Sequence, residues 1–135
     1  MTSARWSLDA TREAPTEGRR LIREFAASAN ATSWALDAIA LCVTEAITNV
    51  VLHAYRNQEH PGRVELEAEF AGEWLCIRVR DHGHGLKPRL DSPGLGLGLP
   101  LIAQISARSE IVSSNQGTEI IMRFDAHEQK GDGRL

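Results

Sequence analysis

A chain of 135 residues lies near the commonest domain size, where folding buries roughly two-thirds of the extended chain's surface, so it supports one core and not two. Its formal net charge of -3 comes from interleaved acidic and basic residues, with no dense Lys/Arg stripe to neutralise a phosphate backbone, which argues against nucleic acid as a partner. Residues 1–20 hold no apolar run of the signal-peptide kind, and no run of consecutive apolar residues is long enough to span a bilayer, so a soluble, cytoplasmic protein without a membrane partner is expected.

Trp6 and Leu8 alternate with Arg5, Ser7 and Asp9, the pattern of a short strand. Pro15, Thr16 and Glu17 then announce a helix with Leu21, Ile22, Phe25 and Ala29 on one face. After a break at Asn30 to Ser33, a second helix is predicted from about Trp34 to Tyr55. Turning each residue by about 100° gathers Leu36, Ile39, Cys42, Val43, Ala46, Ile47, Val50 and Ala54 into one broad apolar arc, which makes this helix a central packing element. Pro61-Gly62 interrupts the chain. Val64, Leu66, Ala68 and Phe70 alternate with Glu65, Glu67 and Glu69 in a half-buried strand, Ala71-Gly72-Glu73 marks a hairpin turn, and the partner strand from Trp74 to Arg80 presents Leu75, Ile77 and Val79 on one face. A third helix is expected from Leu99 to about Ala107, with Pro100 in the first turn, where its missing amide proton costs nothing. Two last strands, about Glu110 to Ser114 and Thr118 to Phe124, are joined by Asn115-Gln116-Gly117.

The stretch after Asp125 is polar and expected to fray. Cys42 and Cys76 fall in apolar periodic segments, as suits reduced thiols rather than a disulfide or zinc site. Short turns imply antiparallel neighbours, and three helices cover only one face. The expected fold is therefore an α/β two-layer sandwich, a mixed and largely antiparallel sheet covered on one face by three helices, with a core over residues 5–124 and a tail over 125–135.

Three clusters carry chemistry. Glu45, Asn49 and His53 recur every four residues along one edge of the apolar arc. They are either a solvated helix face or a carboxylate and an amide oxygen placed one turn apart to hold a hard cation such as Mg²⁺. Asp81 ends a strand and is followed by Gly83 and Gly85. Either its side chain caps its own tight turn, or it accepts a hydrogen bond from the exocyclic amine of adenine, where guanine would present a carbonyl. Gly94, Gly96 and Gly98 lead through Leu99 into a helix, which is a phosphate cradle of unpaired amides or else a packed turn. The spacing matches neither the dinucleotide-binding glycine fingerprint nor a Walker loop.

With Glu45-x-x-Thr48-Asn49-x-x-x-His53-Ala54-Tyr55, Asp81-x-Gly83-x-Gly85, Gly94-x-Gly96-x-Gly98 and Gly117-Thr118 in this order, the chain resembles the GHKL superfamily of ATPases and kinases, which share the Bergerat ATP-binding fold. The resemblance covers about residues 35–124. Within that superfamily, the form of the first motif and the short lid between the glycine motifs look like the bacterial anti-sigma-factor serine kinases. Two departures are Leu86, where the superfamily often has an aromatic, and a segment from Lys87 to Ser92 too short for an elaborate lid.

The resemblance implies that Asn49 ligates the Mg²⁺ bridging the ATP phosphates and that Glu45 is the general base for the attacking hydroxyl. It implies that Asp81, Gly83 and Gly85 form the adenine wall, and that Gly94, Gly96, Gly98 and Leu99 form the phosphate cradle. Thr118 would support Asp81, and His53 would either stand behind the ligands or be a structural histidine bonded to neighbouring backbone. The implied partners are a sigma factor and an anti-anti-sigma antagonist phosphorylated on serine or threonine, with a homodimer through the strand around Trp6 and Leu8. A non-catalytic ATP-binding switch that exchanges partners, and a slow ATPase, remain open beside the kinase. Arg19, Arg20 and Arg23 are either a docking face or the solvated side of their helix.

Overall fold

The computed structural model describes residues 2–56, 62–83 and 98–129. In chain order the elements are β1 (Ser3–Asp9), α1 (Ala14–Ser28), α2 (Ser33–Asn49) with a π-helical segment (Val50–Ala54), β2 (Arg63–Ala71), β3 (Trp74–Asp81), α3 (Gly98–Ile105), β4 (Arg108–Ser114) and β5 (Gly117–Asp125). The strands form one sheet in the order β1-β2-β3-β5-β4. Every pairing among them is antiparallel, so the sheet expected to be mixed has no parallel pair among the described strands.

The pleat sorts residues as the alternation predicted. Val64, Leu66 and Ala68 of β2, Leu75, Ile77 and Val79 of β3, and Ile120, Met122 and Phe124 of β5 are all buried in a core shared with the helices. The opposite face of the sheet is a mesh of charges. Arg5 meets Glu67 at 3.4 Å, Arg78 meets Glu119 at 3.7 Å, and Arg80 also pairs with Glu119. Exposed pairs of this kind add little stability each, but they match opposite charges across neighbouring strands.

The buried stripe of α1 is Ala14, Gly18, Ile22 and Ala26, while Leu21 and Phe25 lie at its margin. Phe25 stacks on Phe70 and meets Trp6 edge-on at a centroid distance of 6.0 Å. The helix ends in a Schellman-type closure. Asn30 adopts φ 63, a left-handed conformation that asparagine tolerates, and the Ala31 and Asn30 amides donate to Ala26 and Ala27 carbonyls. Thr32 then caps α2 by accepting from the Ala35 amide at 3.1 Å.

One expectation needs correction. The chain beyond Asp125 does not fray at once: Ala126 is fully buried, its amide donates to Glu73 O at 2.9 Å, and its carbonyl accepts from the Thr32 amide at 2.9 Å. The Thr32 hydroxyl also donates to Glu128 O. The helical run Ser33–Ala54 spans 22 residues and holds an 18-residue window of mean hydropathy 1.7, long and apolar enough to cross a membrane by length and composition alone, although Asp37, Glu45 and Asn49 interrupt it. Half of that window is buried against the rest of the fold, as befits a core helix. The arc residues Ile39, Cys42, Val43, Ala46 and Ile47 all have zero exposure, which accounts for the hydropathy.

Candidate functional site

Glu45 and Asn49 stand one turn apart near the end of α2, and the environment grades from surface to core between them. Glu45 is half-buried, and no described residue hydrogen-bonds or ion-pairs with its carboxylate. Its charge is nonetheless felt nearby. The Cys42 thiol is pushed up to about 12, first by burial and then by the Glu45 carboxylate. Asn49 is only 5 % exposed, and its side-chain amide nitrogen is buried without a hydrogen-bond partner. An unsatisfied buried amide costs about 1–3 kcal/mol, so this group fits a site completed by something other than the fold.

Directly after Asn49 the helix changes its bonding to the wide π form over Val50–Ala54. Such turns are rare and occur frequently at functional sites. His53 lies in this segment, and its Nδ1 meets the Arg56 guanidinium. Nothing in the helical periodicity announces the π turn, because an amphipathic pattern of 3.6 residues and a locally widened one differ by a single residue.

Asp81 is the last residue of β3 and occupies the helix-facing position of the strand, so the pleat itself drives it inward. It is 2 % exposed. Its Oδ1 accepts from the Gly83 amide at 2.9 Å, the tight-turn cap anticipated in one reading of the motif. Burial pushes the carboxyl above its ordinary value, against the pull of the Gly83 and Thr118 backbone amides and the nearby His82. Thr118 sits opposite Asp81 in the β3–β5 register, is also buried, and shares a hydrogen bond of 3.1 Å with the Ser113 hydroxyl.

Two glycines allow this arrangement. A Cβ on Gly83 would fall 1.8 Å from the Ala54 carbonyl oxygen, and one on Gly117 would fall 2.1 Å from the Asp81 carbonyl oxygen. The backbone after Asp81 therefore lies directly on the end of the helix that carries Asn49, with β5 closing from the other side. A shallow hollow of about 170 Å³ touches Asp81 and Thr118, but Arg80, His82, Val112 and Glu119 line it too, so it opens on the charged side of the sheet and no α2 residue borders it. Another hollow among the described residues, about 300 Å³, is bordered by Arg5, Glu67 and Arg78 on the same charged face and shares Arg80 and Glu119 with the first.

Gly98 is the first residue of α3, and Leu99 is packed against the core, so the helix start behind the glycine loop is anchored where α3 crosses α2. Gly85, Gly94 and Gly96, together with Leu86 and the segment from Lys87 to Ser92, lie outside the described residues. The arginines of α1 have intramolecular partners. Arg20 pairs with Glu17 and Glu24, Arg23 with Asp37, and Arg19 donates to the Thr44 hydroxyl, which favours the solvated-face reading. The thiols of Cys42 and Cys76 are free, the first buried and the second partly exposed.

The histidine kinase-like ATPase domain family matches residues 8–124. Among individual proteins, the chain is similar to the anti-sigma F factor of Clostridium kluyveri, 29% identical over 117 residues that span 76% of this chain and 79% of the relative. The anti-sigma F factor of Clostridium acetobutylicum is 28% identical over 120 residues, spanning 78% and 80%. Among solved structures, the RsbU and RsbW domains of Rv1364c from Mycobacterium tuberculosis superpose with a TM-score of 0.77 at 22% identity, covering 96% of this chain and 34% of that one. At that identity the likeness is one of fold, and it agrees with the layered architecture above.

Proposed function

The chain belongs to the histidine kinase-like ATPase domain family, and from that premise we propose that it is an anti-sigma factor that uses ATP and Mg²⁺ to phosphorylate an anti-anti-sigma antagonist on serine or threonine. The observation that carries this reading is the pair on α2: a carboxylate at Glu45 that no described residue pairs with and, one turn on, a buried Asn49 whose amide N–H, without a partner among the described residues, fits an acceptor such as a phosphate oxygen. The names of the clostridial relatives support the sigma-factor partnership.

Bound ATP-Mg²⁺ would supply the phosphoryl group and the charge neutralisation that such transfer relies on. The chain's own residues then divide the remaining work. Asn49 offers its amide oxygen to the metal. Asp81, held by the Gly83 amide, presents a rigid acceptor to the adenine amine, and Thr118 backs it across the strands. Gly83 keeps that wall thin, and Gly98 and Leu99 stand at the start of α3, where phosphates would be met by unpaired amides. Gly85, Gly94 and Gly96, outside the described residues, keep the adenine-wall and phosphate roles that the resemblance implies. Glu45 takes the proton of the attacking hydroxyl.

A cytoplasmic homodimer completes the reading. β1 is an edge of the sheet with one unpaired side, the usual place for a second copy to add. Trp6 packs inward on Phe25, so pairing would use the β1 backbone rather than an exposed apolar face. Light scattering that gives a strictly monomeric mass at working concentration would remove this part. The kinase reading is tested by incubating the protein with γ-labelled ATP, Mg²⁺ and a candidate antagonist. Phosphoserine or phosphothreonine on the antagonist is expected. Nucleotide binding with no label on any candidate would leave the partner-exchanging switch in its place.

A further inference from the structure

Resting on the adenine-nucleotide reading above, we propose that Tyr55 is a positioning residue of the nucleotide site, whose hydroxyl ties the loop beginning at Asp81 to the far end of the Asn49 helix. Tyr55 follows the π segment immediately. Its hydroxyl accepts from the His82 amide at 2.9 Å and donates to the Arg63 carbonyl at 2.6 Å, so both roles of the group are used.

The place of this contact in the sheet gives it meaning. The β2–β3 ladder ends on the pair Val64 and Asp81, so the next pair in register would set His82 against Arg63. The Tyr55 hydroxyl stands between the amide of one and the carbonyl of the other. It thereby replaces a direct strand-to-strand bond with a bridge through the helix end, and the two strands part where the Asp81 turn begins. The freed backbone turns at once, and the Gly83 amide comes to the Asp81 carboxylate.

The ring is held as firmly as the hydroxyl. A Cβ on Gly62 would fall 2.1 Å from the Tyr55 Cε1 and Cζ atoms, so the chain entering β2 presses flat against the ring. On the other side of the turn Gly83 lies against the Ala54 carbonyl. Tyr55 is therefore clasped by β2 and by the β3 turn, and it fixes both relative to the helical segment that starts one residue after Asn49. Its action on a nucleotide is indirect, through the direction in which the Asp81 carboxylate points.

Tyr55→Phe keeps the ring and removes both hydrogen bonds. Three measurements on this variant are decisive. By NMR, amide exchange at Gly83, which does not bond Tyr55 itself, should quicken by about tenfold if the hydroxyl holds the turn. By calorimetry, ATP affinity should fall by roughly three- to tenfold while the weak GTP affinity stays, so the ATP/GTP ratio falls. On an Asp81→Asn background the same substitution should cause no further loss of that ratio, since the two act through one group. Should Tyr55→Phe prove too unstable to study, Gly62→Ala displaces the ring without touching the hydroxyl and should shift the same readouts in the same direction. A variant that melts earlier but keeps the Gly83 exchange rate and the ATP/GTP ratio would overturn the proposal and leave Tyr55 an ordinary packing residue. Wild-type protein that binds neither nucleotide would sink the adenine reading, while the Gly83 exchange rate would still decide whether Tyr55 holds the turn.

Discussion

Along β3 the helix-facing row runs Leu75, Ile77, Val79 and Asp81, opposite Phe124, Met122, Ile120 and Thr118 of β5. All eight are buried, yet one end of the row is aliphatic and aromatic and the other ends on a carboxylate facing a hydroxyl. The apolar end is closed by fold contacts alone, with the Ala126 amide on Glu73 and the Thr32 cap on the tail. At the polar end a carboxylate takes the place of one more aliphatic side chain. A buried polar pair in that position weakens the core unless its hydrogen-bonding capacity is used, and here backbone amides use part of it. One end of the pleat is thus closed by packing, and the other keeps buried polar groups that packing does not call for, which is where the proposed function puts recognition.

The largest effect expected from breaking this division lies at Glu45, which belongs to neither end's packing. Glu45→Ala should lower phosphoryl transfer to the antagonist by roughly a hundred- to ten-thousandfold while nucleotide affinity and melting temperature stay near wild type. Transfer at the wild-type rate would show that another group is the base, and parallel loss of nucleotide binding would move Glu45 to the metal.

At the apolar end, Leu75→Ala removes a fully buried side chain and should cost about 2–5 kcal/mol in urea denaturation. The folded fraction should still bind ATP with unchanged affinity. A comparable drop in affinity would mean that the two ends are coupled, not separate.

Gly83→Ala sharpens the contrast from the polar side. The new methyl would meet the Ala54 carbonyl oxygen at 1.8 Å, a backbone atom that cannot rotate away, so the turn must lift off the helix. A stability loss of about 1–3 kcal/mol is expected from the overpacking, together with at least tenfold weaker ATP binding, read by denaturation and calorimetry. Full affinity in this variant would show that the turn is not a wall of the site.

The smallest effect, and the one with an unusual sign, is at Asp81 itself. Because burial raises its folded carboxyl above the unfolded value, the stability of its protonated form is complete below the unfolded value and is lost as pH rises through the folded one. Asp81→Asn cannot ionise, so the nucleotide-free variant should melt slightly above wild type at pH 7, with the gap closing as pH falls into the carboxylate range. The same variant should bind ATP much more weakly. Thermal melts across pH check the first part, and a gap that widens in acid would contradict the assigned cause.

The sequence by itself determined the faces and the order of the elements. Alternation in β2 and β3 sorted Leu66 and Ile77 from Glu67 and Arg78, and the 3.6-residue arc of the second helix marked Ile39 to Ile47 as core, because both patterns record which side of a local element meets water. The four-residue step from Glu45 to Asn49 and the position of Asp81 at a strand end were likewise local facts. Tertiary structure decided the rest. Turn signals predicted the β2–β3 and β4–β5 neighbours, but that β1 joins β2 and β5 joins β3 depends on how the sheet closes over α1, α2 and α3. The π turn after Asn49 is set by what surrounds the helix end, since its sequence suits an ordinary α-turn as well. The Tyr55 bridge to His82 spans 27 residues and the Thr32 bond to the tail spans 96, separations at which no periodic signal survives. Such contacts exist only once the core has brought the two segments together, and the one from Tyr55 is what sets the Asp81 strand end against the end of the Asn49 helix.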